Sequence, residues 1–391
     1  MVKTTSGHQA CVLAVVGTRP EVIKMFPVLS ALKKKEGIQP KLVFTGQHNS
    51  LVSQTIQGMA FDPDVNLNLM TSNQNLYDLT TKCLKELRKI VQSMRPDCLL
   101  VQGDTTTAFT ASLVAFFEGI PLGHVEAGLR SRNNREPFPE EGYRKMIDAL
   151  ADFYFAPTPF SAENLTREGI SEQDIFITGN TVVDAIHSIA PLCGKVQNPE
   201  LAALLAKQQS KLVLLTAHRR ESFGKPLQDI FRAIQRLTTM DTDLEIIYPV
   251  HPNPNVSEKL QKMKGHDRIH LLDPLSYDDL LLTLQKVRLV LTDSGGIQEE
   301  APSFGVHTLV MRNNTERQEG ITAGVATLVG TDPETIASVA LRKLESHKLQ
   351  SESTGIFINP YGDGKASERI ADILGSALIG SLRTTQDWIG P

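Results

Sequence analysis

The stretch LVLTDSGGIQEEAP, residues Leu289–Pro302, decides the fold: an apolar run ends at a serine and two adjacent glycines, and two carboxylates follow. A short Val/Leu run bounded by such a turn is typical of a buried strand. In an open parallel sheet, ligands bind outside the carboxyl ends of the strands, where each following helix begins with free N–H groups. The stretch therefore predicts a strand, a turn and a helix with a ligand site at the turn.

The rest of the chain repeats this unit. Short Val/Leu/Ile-rich runs alternate with amphipathic segments, and the segments Pro20 to Lys35, Lys225 to Leu237 and Tyr277 to Val287 are predicted helices. Runs that are apolar throughout are typical of parallel strands buried on both faces. The predicted strands are CVLAVVG, KLVFTG, CLLVQG, PLGHVEAG, FYFAPT and IFITGN in the first half, and KLVLLTAH, LEIIYPVH, RIHLLDP, VRLVLTDSGG, VHTLVMR and ATLVGT in the second.

The chain has 391 residues, more than one hydrophobic core usually supports, so two domains with a cleft between them are expected. The pattern loosens after Asp184 and then begins a second βα series. We therefore predict an α/β protein with two Rossmann-like doubly wound domains, residues 1–184 and 185–367, facing a cleft. The C-terminal helix, residues 368–391, is predicted to cross back onto the first domain.

Composition excludes several classes of protein. The chain is 41% hydrophobic and 21% charged, which is ordinary for a globular protein, and its net charge of −4 offers no footprint for nucleic acid or an anionic membrane. The N-terminal apolar run is too short for a signal peptide, and no segment is long enough to span a bilayer. The cysteines lack metal-ligand or redox spacing, so we interpret them as reduced core residues of an intracellular, cytoplasmic protein: Cys11, Cys83, Cys98 and Cys193.

The turn at Ser294 is suited to a nucleotide diphosphate. Gly295 and Gly296 let a phosphate approach the backbone, Ser294 can donate to it, and Glu300 can accept from both ribose hydroxyls. The alternative is that the glycines only permit a tight turn and the glutamates only interact with the helix dipole. Taken alone, the motif does not decide between the two.

The first strand ends in VVGTRPEVIKMFP, which lacks the G-x-G-x-x-G sequence of a dinucleotide site, so hydride chemistry with NAD is disfavoured. Arg19 and Lys24 can both face a phosphate, or can be two solvated charges. The chain has neither zinc-ligand spacing nor a P-loop. We predict no metal and no cofactor.

Carboxylates follow several of the predicted strands. Asp104 comes directly after CLLVQG, Glu126 ends the next strand, and Glu140 follows the prolines at 137 and 139. Asp104 can instead be only the N-cap of the next helix. Acidic residues held at neighbouring strand ends are nevertheless the arrangement that general acid and base catalysis requires.

Two histidines follow strands in the second half. His218 ends KLVLLTAH and can protonate or bind a leaving phosphate, or can be satisfied by backbone groups. His251 lies in the proline-rich segment HPNPNV, where a structural role is the more common one.

Taken together, the motifs resemble one family, the UDP-N-acetylglucosamine 2-epimerases, in their non-hydrolysing bacterial form. The resemblance covers nearly the whole chain and keeps the order of the motifs. These are VVGTRPEVIK, QGDTTTAF, HVEAGLR, PFPEE, ITGNTVVDA, TAHRRESFG, YPVHPNPN, LTDSGGIQEEAP, NNTERQEG, TAGVATLVGT and NPYGDGKA.

The resemblance implies a glycosyltransferase-B-like fold, a homodimer, and the interconversion of UDP-GlcNAc and UDP-ManNAc for cell-surface polysaccharide precursors. Family members are understood to eliminate UDP to 2-acetamidoglucal and then add it back with the opposite configuration at C2, without NAD or metal. The UDP-sugar is thus the expected partner.

The resemblance also implies a role for each candidate residue. Asp104, Glu126 and Glu140 look like the proton-transfer carboxylates, and His218 looks like the residue at the pyrophosphate. Arg144 is expected near the sugar. The residues expected to bind UDP are Arg19, Lys24, Ser294, Gly295, Gly296, Glu300 and Arg317.

The chain departs from the family pattern at four positions. Tyr143 stands where an asparagine is usual and Gln318 where a proline is common, and Ser50 and Asn73 replace longer polar side chains. These departures keep open a related substrate such as a UDP-diacetamido-uronate. Three further functions are compatible with the motifs: a hydrolysing epimerase that releases ManNAc and UDP, a glycosyltransferase of the same architecture, and a sugar-nucleotide sensor.

Overall fold

The computed structural model describes residues 9–46, 62–71, 74–207, 211–219, 222–250, 266–350 and 359–391. The chain divides into two compact units: unit 1 is Met1–Ser188 with Tyr361–Pro391, and unit 2 is Ile189–Pro360. The sequence predicts a boundary near residue 184, whereas the chain leaves unit 1 after Ser188. The positions Ser50, Asn73 and His251 lie outside the described residues.

Unit 1 is built on a seven-stranded parallel sheet with the strand order β3-β2-β1-β4-β5-β6-β7. The order reverses between β1 and β4, and a crevice opens at such a switch point. The strands are β1 (Ala10–Val16), β2 (Ile38–Phe44), β3 (Val65–Asn66), β4 (Cys98–Gln102), β5 (Leu122–Val125), β6 (Phe153–Ala156) and β7 (Ile175–Ile177).

Seven helices complete the described part of unit 1. Most begin at a residue that satisfies the free N–H groups of the first turn; Asn75, for example, accepts from the backbone N–H of Asp78 (2.9 Å). The helices are α1 (Arg19–Lys34), α2 (Leu76–Met94), α3 (Thr106–Glu118), α4 (Glu140–Asp148), α5 (Pro159–Arg167), α6 (Thr181–Ile189, whose last residue belongs to unit 2) and α13 (Ala366–Ile379).

Unit 2 is built on a six-stranded parallel sheet with the order β10-β9-β8-β11-β12-β13, and its switch point lies between β8 and β11. The strands are β8 (Lys211–Thr216), β9 (Leu244–Pro249), β10 (Ile269–Leu272), β11 (Leu289–Thr292), β12 (His307–Val310) and β13 (Ala326–Leu328). The helices are α7 (Pro199–Leu205), α8 (Lys225–Met240), α9 (Tyr277–Leu284), α10 (Gly295–Glu300), α11 (Gln318–Thr322) and α12 (Pro333–Gln350).

Each unit has its own apolar core. In unit 1, Leu13 of β1 and Leu99 of β4 pack with Leu87 of α2 and Ala111 of α3, all at most 1% exposed. In unit 2, Leu291 of β11 belongs to a cluster that includes residues of β8, β9 and α8. Burial of such side chains stabilises each fold by about 1.5 to 3 kcal/mol per Leu or Ile. Two parallel, doubly wound sheets confirm the predicted fold class.

The C-terminal segment returns to unit 1. The carboxylate of Asp184 accepts from the backbone N–H groups of Ala366 (3.2 Å) and Ser367 (2.8 Å) at the start of α13. Lys35, at the end of α1, pairs with Asp372 in the middle of α13 (2.8 Å). Beyond the helix, the backbone N–H of Trp388 donates to the carbonyl of Ile177 in β7 (2.8 Å).

All four cysteines are free thiols, but only Cys83 and Cys98 lie in the core. Cys11 and Cys193 are part-exposed, at the start of a strand and just after a short turn, so the prediction of core burial was wrong for these two. In the described part of the chain, no helix has the length and apolar character that crossing a membrane requires.

Candidate active site

The switch point of unit 1 is organised by the buried carboxylate of Glu21. It accepts hydrogen bonds from the backbone N–H groups of Gly17 (3.1 Å) and Thr18 (2.7 Å) and from the hydroxyl of Thr18 (2.7 Å). The hydroxyl of Thr105, after β4, donates to the other oxygen (2.7 Å). Burial raises the pKa of Glu21 to about 7, although these hydrogen bonds oppose the rise. Glu21 thus joins the ends of β1 and β4.

Glu126 lies at the end of β5 and is only 7% exposed. Its carboxylate accepts from Lys24 Nζ (2.6 Å), from Asn180 Nδ2 (3.1 Å) and from the side-chain amide of Gln102. Its φ of +76° is a left-handed conformation that non-glycine residues adopt rarely and that the surrounding contacts must hold. The predicted residues Lys24 and Glu126 are therefore in direct contact.

Asp104 follows β4 and pairs with Arg144 of α4. The guanidinium donates to the same carboxylate oxygen through Nε (2.8 Å) and Nη2 (2.6 Å), and the side chain of Asp104 is one-quarter exposed. The cap of α3 is Thr105, whose hydroxyl accepts from the backbone N–H of Ala108 (3.1 Å). The alternative that Asp104 is only the N-cap is therefore wrong, because its carboxylate is turned to an arginine instead.

The two glutamates of PFPEE differ in their surroundings. Glu140, the predicted proton-transfer residue, is the first residue of α4 and is part-exposed. Glu141 is fully buried and accepts from the backbone N–H groups of Ser131 (2.9 Å) and Arg132 (3.0 Å) and from Arg144 Nη1 (3.0 Å). Glu141 therefore fixes the arginine that holds Asp104.

Arg19 is the first residue of α1 and is part-exposed. It follows β1, as the sequence predicts. Arg19 therefore lies at the switch point of unit 1, on the turn that Glu21 holds in place.

The switch point of unit 2 carries His218 after β8 and Asp293 after β11. Asp293 is fully buried and accepts from the backbone N–H groups of His218 (3.0 Å) and Arg219 (2.9 Å) and from the hydroxyl of Ser222 (3.0 Å). The imidazole of His218 is one-third exposed, and its Nδ1 lies 3.7 Å from Asp293 Oδ1. Asp293 thus holds the backbone of the loop while the ring of His218 stays accessible. Arg220 and Glu221 lie outside the described residues.

The double glycine begins α10, and its two members have different roles. Ser294 is the N-cap, and its backbone N–H donates to the hydroxyl of Thr292 (2.9 Å). A Cβ on Gly295 would lie 2.8 Å from Cζ of Arg317, whereas a Cβ on Gly296 would meet nothing within 4 Å. A side chain at position 295 would therefore collide with the guanidinium of Arg317, whereas position 296 has room for one.

Arg317 is 6% exposed and lies between two carboxylates. It donates to Glu299 through Nε (2.9 Å) and Nη2 (2.8 Å), and its Nη1 donates to Glu316. Glu300, the predicted ribose ligand, is 7% exposed at the end of α10. The sequence thus predicted the strand, turn and helix of this region, but not Glu299 and Glu316 as the partners of Arg317.

Several residues that the sequence did not single out hold the predicted ones in place, among them these four: Gln102, Glu141, Asn180 and Asp293. Gln102 ends an apolar strand and Asn180 ends the loop of ITGN, so both follow the rule that located Asp104, namely a polar residue at a strand end. Asp293 lies inside the stretch Leu289–Pro302 that predicted the turn. The signal was present for three of the four.

The chemistry of the two regions is distinct. In unit 1, an ammonium and two amides donate to one carboxylate and a guanidinium to another, so each carboxylate is oriented and its negative charge is stabilised. Such carboxylates can accept and return a proton. In unit 2, the part-exposed imidazole of His218 and the backbone N–H groups at the start of α10 can donate hydrogen bonds to an anion.

Comparison with known proteins identifies the family. The family model for UDP-N-acetylglucosamine 2-epimerase matches residues 30–375. The UDP-N-acetylglucosamine 2-epimerase of Bacillus subtilis is 43% identical over 367 residues, which is 93% of this chain and 94% of that protein.

Two solved structures are similar over nearly their whole length. The S. aureus MnaA–UDP co-structure has a TM-score of 0.87 at 38% identity and covers 97% of this chain and 100% of that one. The UDP-GlcNAc 2-epimerase of Neisseria meningitidis bound to UDP-GlcNAc has a TM-score of 0.86 at 38% identity and covers 95% of this chain and 100% of that one. The resemblance inferred from the motifs is confirmed, and the chain belongs to the UDP-N-acetylglucosamine 2-epimerase family.

Proposed function

We propose that the protein is a non-hydrolysing epimerase that interconverts UDP-GlcNAc and UDP-ManNAc for cell-surface polysaccharide precursors. A carboxylate takes the proton from C2, the C1–O bond breaks, and UDP leaves with the bonding electrons, which gives 2-acetamidoglucal. In the second step a UDP oxygen attacks C1 while a proton is delivered to the other face of C2. No atom is lost over the cycle, and neither a redox cofactor nor a metal is consumed.

The observation that carries this proposal is the pair of oriented carboxylates in unit 1. Glu126 is held by Lys24 Nζ at 2.6 Å, and Asp104 is held by Arg144 at 2.6 Å, at the ends of the adjacent strands β5 and β4. Epimerisation needs a proton removed from one face of C2 and another delivered to the opposite face, which calls for more than one proton-transfer group. We assign these steps to Asp104, Glu126 and Glu140.

UDP is assigned to the switch point of unit 2. The accessible ring of His218 can donate to a pyrophosphate, and the open space beside Gly296 leaves room for one. The solved relatives support a UDP-sugar as ligand, since one is bound to UDP and another to UDP-GlcNAc. Keeping the expelled UDP bound is what separates epimerisation from hydrolysis.

Incubation with UDP-GlcNAc in deuterated water tests the proposal. Proton NMR is expected to show loss of the C2 proton signal from both UDP-linked sugars as they equilibrate. Accumulation of free ManNAc and UDP would instead identify a hydrolysing epimerase, and a C2 proton that never exchanges would refute elimination. The variant Glu126→Gln is the control: it is expected to bind UDP and to lose exchange.

The departure from the family pattern at Tyr143 does not argue for a different sugar. The ring of Tyr143 is 8% exposed and stacks on Phe109 with 4.9 Å between the ring centroids, so this side chain belongs to the core of unit 1. Tyr143 therefore gives no reason to prefer a UDP-diacetamido-uronate, and we propose UDP-GlcNAc, which is bound in one solved relative, as the substrate. Equal or faster turnover of the diacetamido-uronate would contradict that choice.

We also propose that the protein is a cytoplasmic homodimer. Phe116 and Phe117, at the end of α3, are 61% and 70% exposed, and adjacent exposed aromatic side chains are typical of a surface that is covered by a partner. Light scattering after gel filtration is expected to give twice the 43.0 kDa of one chain. A mass of one chain at micromolar concentration would refute the dimer, and cell fractionation tests the compartment.

A further inference from the structure

The proposed reaction does not use His124, yet this residue is a fully enclosed ionisable side chain close to the candidate carboxylates. It lies on β5 and is fully buried. Its Nδ1 is 2.5 Å from Asp148 Oδ1, and its Nε2 is 2.8 Å from the carbonyl oxygen of Gly103. Both ring nitrogens therefore have a protein partner within hydrogen-bond distance.

The two partners determine where the protons are. A carbonyl oxygen can only accept, so Nε2 must carry a hydrogen and donate to Gly103. The contact with Asp148 then holds one further proton, either on Nδ1 or on the carboxyl group. The ring is a cation in the first case and neutral in the second.

Asp148 is itself held in place by further groups. Its second oxygen accepts from Arg130 Nη2 (2.7 Å) and from the backbone N–H of Gly128 (3.2 Å). Burial alone would raise the pKa of Asp148, but the charges and hydrogen bonds of His124 and Arg130 hold it below its ordinary value. Asp148 therefore anchors the Nδ1 side of the ring, while Nε2–H is directed at Gly103.

Asp148 belongs to a network of charged and polar groups. Its partner Arg130 also pairs with the more exposed carboxylate of Glu168 through Nε (2.8 Å) and Nη2 (2.6 Å). The phenol of Tyr154 adds a hydrogen bond to the backbone carbonyl of Asp148 (2.8 Å). The position of Asp148, and with it the ring of His124, is therefore fixed from several sides.

The bond from His124 completes a clamp on the turn after β4. The N–H of Gly103 donates to the carbonyl of Val125 (3.0 Å), and its C=O accepts from His124, so β5 holds both sides of this residue. Asp104 is the next residue. A Cβ on Gly103 would lie 3.5 Å from Glu126 Oε2, so the turn also borders the second candidate carboxylate.

We propose that His124 is a positioning residue that fixes, through Nε2–H, the turn that carries Asp104. The proposal rests on the proposed function for the role of Asp104 in proton transfer. His124 itself transfers no proton to substrate, since one ring nitrogen is bonded to a backbone carbonyl and the other to a buried carboxylate. Its contribution is the orientation of Asp104 relative to Glu126.

The hydrogen bond to Gly103 is tested directly on the unliganded wild-type protein. Selective 15N labelling of histidine, with assignment from the spectrum of His124→Gln, is expected to show that Nε2 of His124 carries a proton. A ring whose Nε2 carries no proton would overturn the proposal. This result does not depend on activity, so it stands or fails separately from the epimerase assignment.

A matched pair of variants tests the positioning role. His124→Gln can keep a donor near Nε2 and hence the bond to Gly103, whereas His124→Asn can keep only the donor near Nδ1, towards Asp148. We expect kcat, per folded molecule that binds UDP, to fall about 10- to 100-fold in His124→Asn with a smaller change in KM, and to fall far less in His124→Gln. Equal kcat losses in the two variants, or none in either, would refute positioning through Gly103.

Discussion

Ionisation of the buried carboxyl group of Glu21 makes the free energy of unfolding of unit 1 depend on pH, and one substitution at this position is expected to remove that dependence. Glu21 is 2% exposed and joins the start of α1 to Thr105. Glu21→Gln keeps the shape of the protonated side chain and removes its ability to ionise. We predict that the variant loses a component of pH dependence that the wild-type protein shows between about pH 4.5 and pH 7.

The size and sign follow from the pKa of this group. Burial raises it from the ordinary 4.5 to about 7, so between these values the unfolded chain ionises at Glu21 while the folded protein keeps its proton. The folded state binds more protons there, and its stability falls as the pH rises until the folded pKa is passed. At 1.36 kcal/mol per pH unit, Glu21 lowers the free energy of unfolding by about 3 kcal/mol between pH 4.5 and pH 8.

Urea unfolding at several pH values measures this component as the difference between the two proteins. The free energy of unfolding of Glu21→Gln, relative to wild type, is expected to increase by about 3 kcal/mol from pH 4.5 to pH 8. Glu86→Gln is the matched control, because Glu86 is an exposed partner of Lys89 on α2, and its difference from wild type is expected to stay nearly constant. Parallel pH curves for Glu21→Gln and wild type would refute the reasoning.

Three further predictions concern unit 2 and the chemistry. Gly295→Ala is expected to cost about 1 to 3 kcal/mol of stability by displacing the guanidinium of Arg317, whereas Gly296→Ala, which meets open space, is not expected to destabilise; equal thermal midpoints for the two variants would contradict this. Asp293→Asn is expected to lower stability by a similar amount and kcat at least tenfold, because one of the two oxygens that accept from the loop of His218 is replaced by an NH2 group that can only donate; unchanged kinetics would remove that role. Treatment with EDTA is expected to leave turnover unchanged, and a loss that Mg²⁺ or Zn²⁺ restores would show that a metal takes part.

Much of the fold could be predicted because parallel strands buried on both faces leave a continuous apolar run. The helix predicted from Pro20 to Lys35 is Arg19–Lys34, and those predicted from Lys225 and Tyr277 begin at these residues. Their ends differ by up to three residues, since the last turn depends on packing rather than on sequence pattern. The short edge strand β3 was not predicted, because two residues carry no periodicity.

The candidate site was predictable in position but not in its contacts. Asp104 and Glu126 could be located since each follows an apolar strand, and parallel strands bring their ends to one edge. The partners of these residues depend on tertiary structure. Asn180, which follows β7, donates to Glu126, which follows β5, although β5 and β7 are not adjacent in the sheet. The contact between Gly295 and the guanidinium of Arg317 likewise depends on tertiary structure.

The return of the chain to unit 1 after unit 2 has a consequence for biosynthesis. Residues 189–360 are inserted between two parts of one folding unit, so α13 and Trp388 emerge from the ribosome after all of unit 2. At synthesis rates of about 5 to 20 residues per second, the insertion of 172 residues delays the closing segment by roughly 10 to 30 s. During that interval the face of α1 that receives α13 has no partner, and Asp184 has no helix start to cap. A stop codon that removed α13 and the segment after it would leave the first unit unfinished.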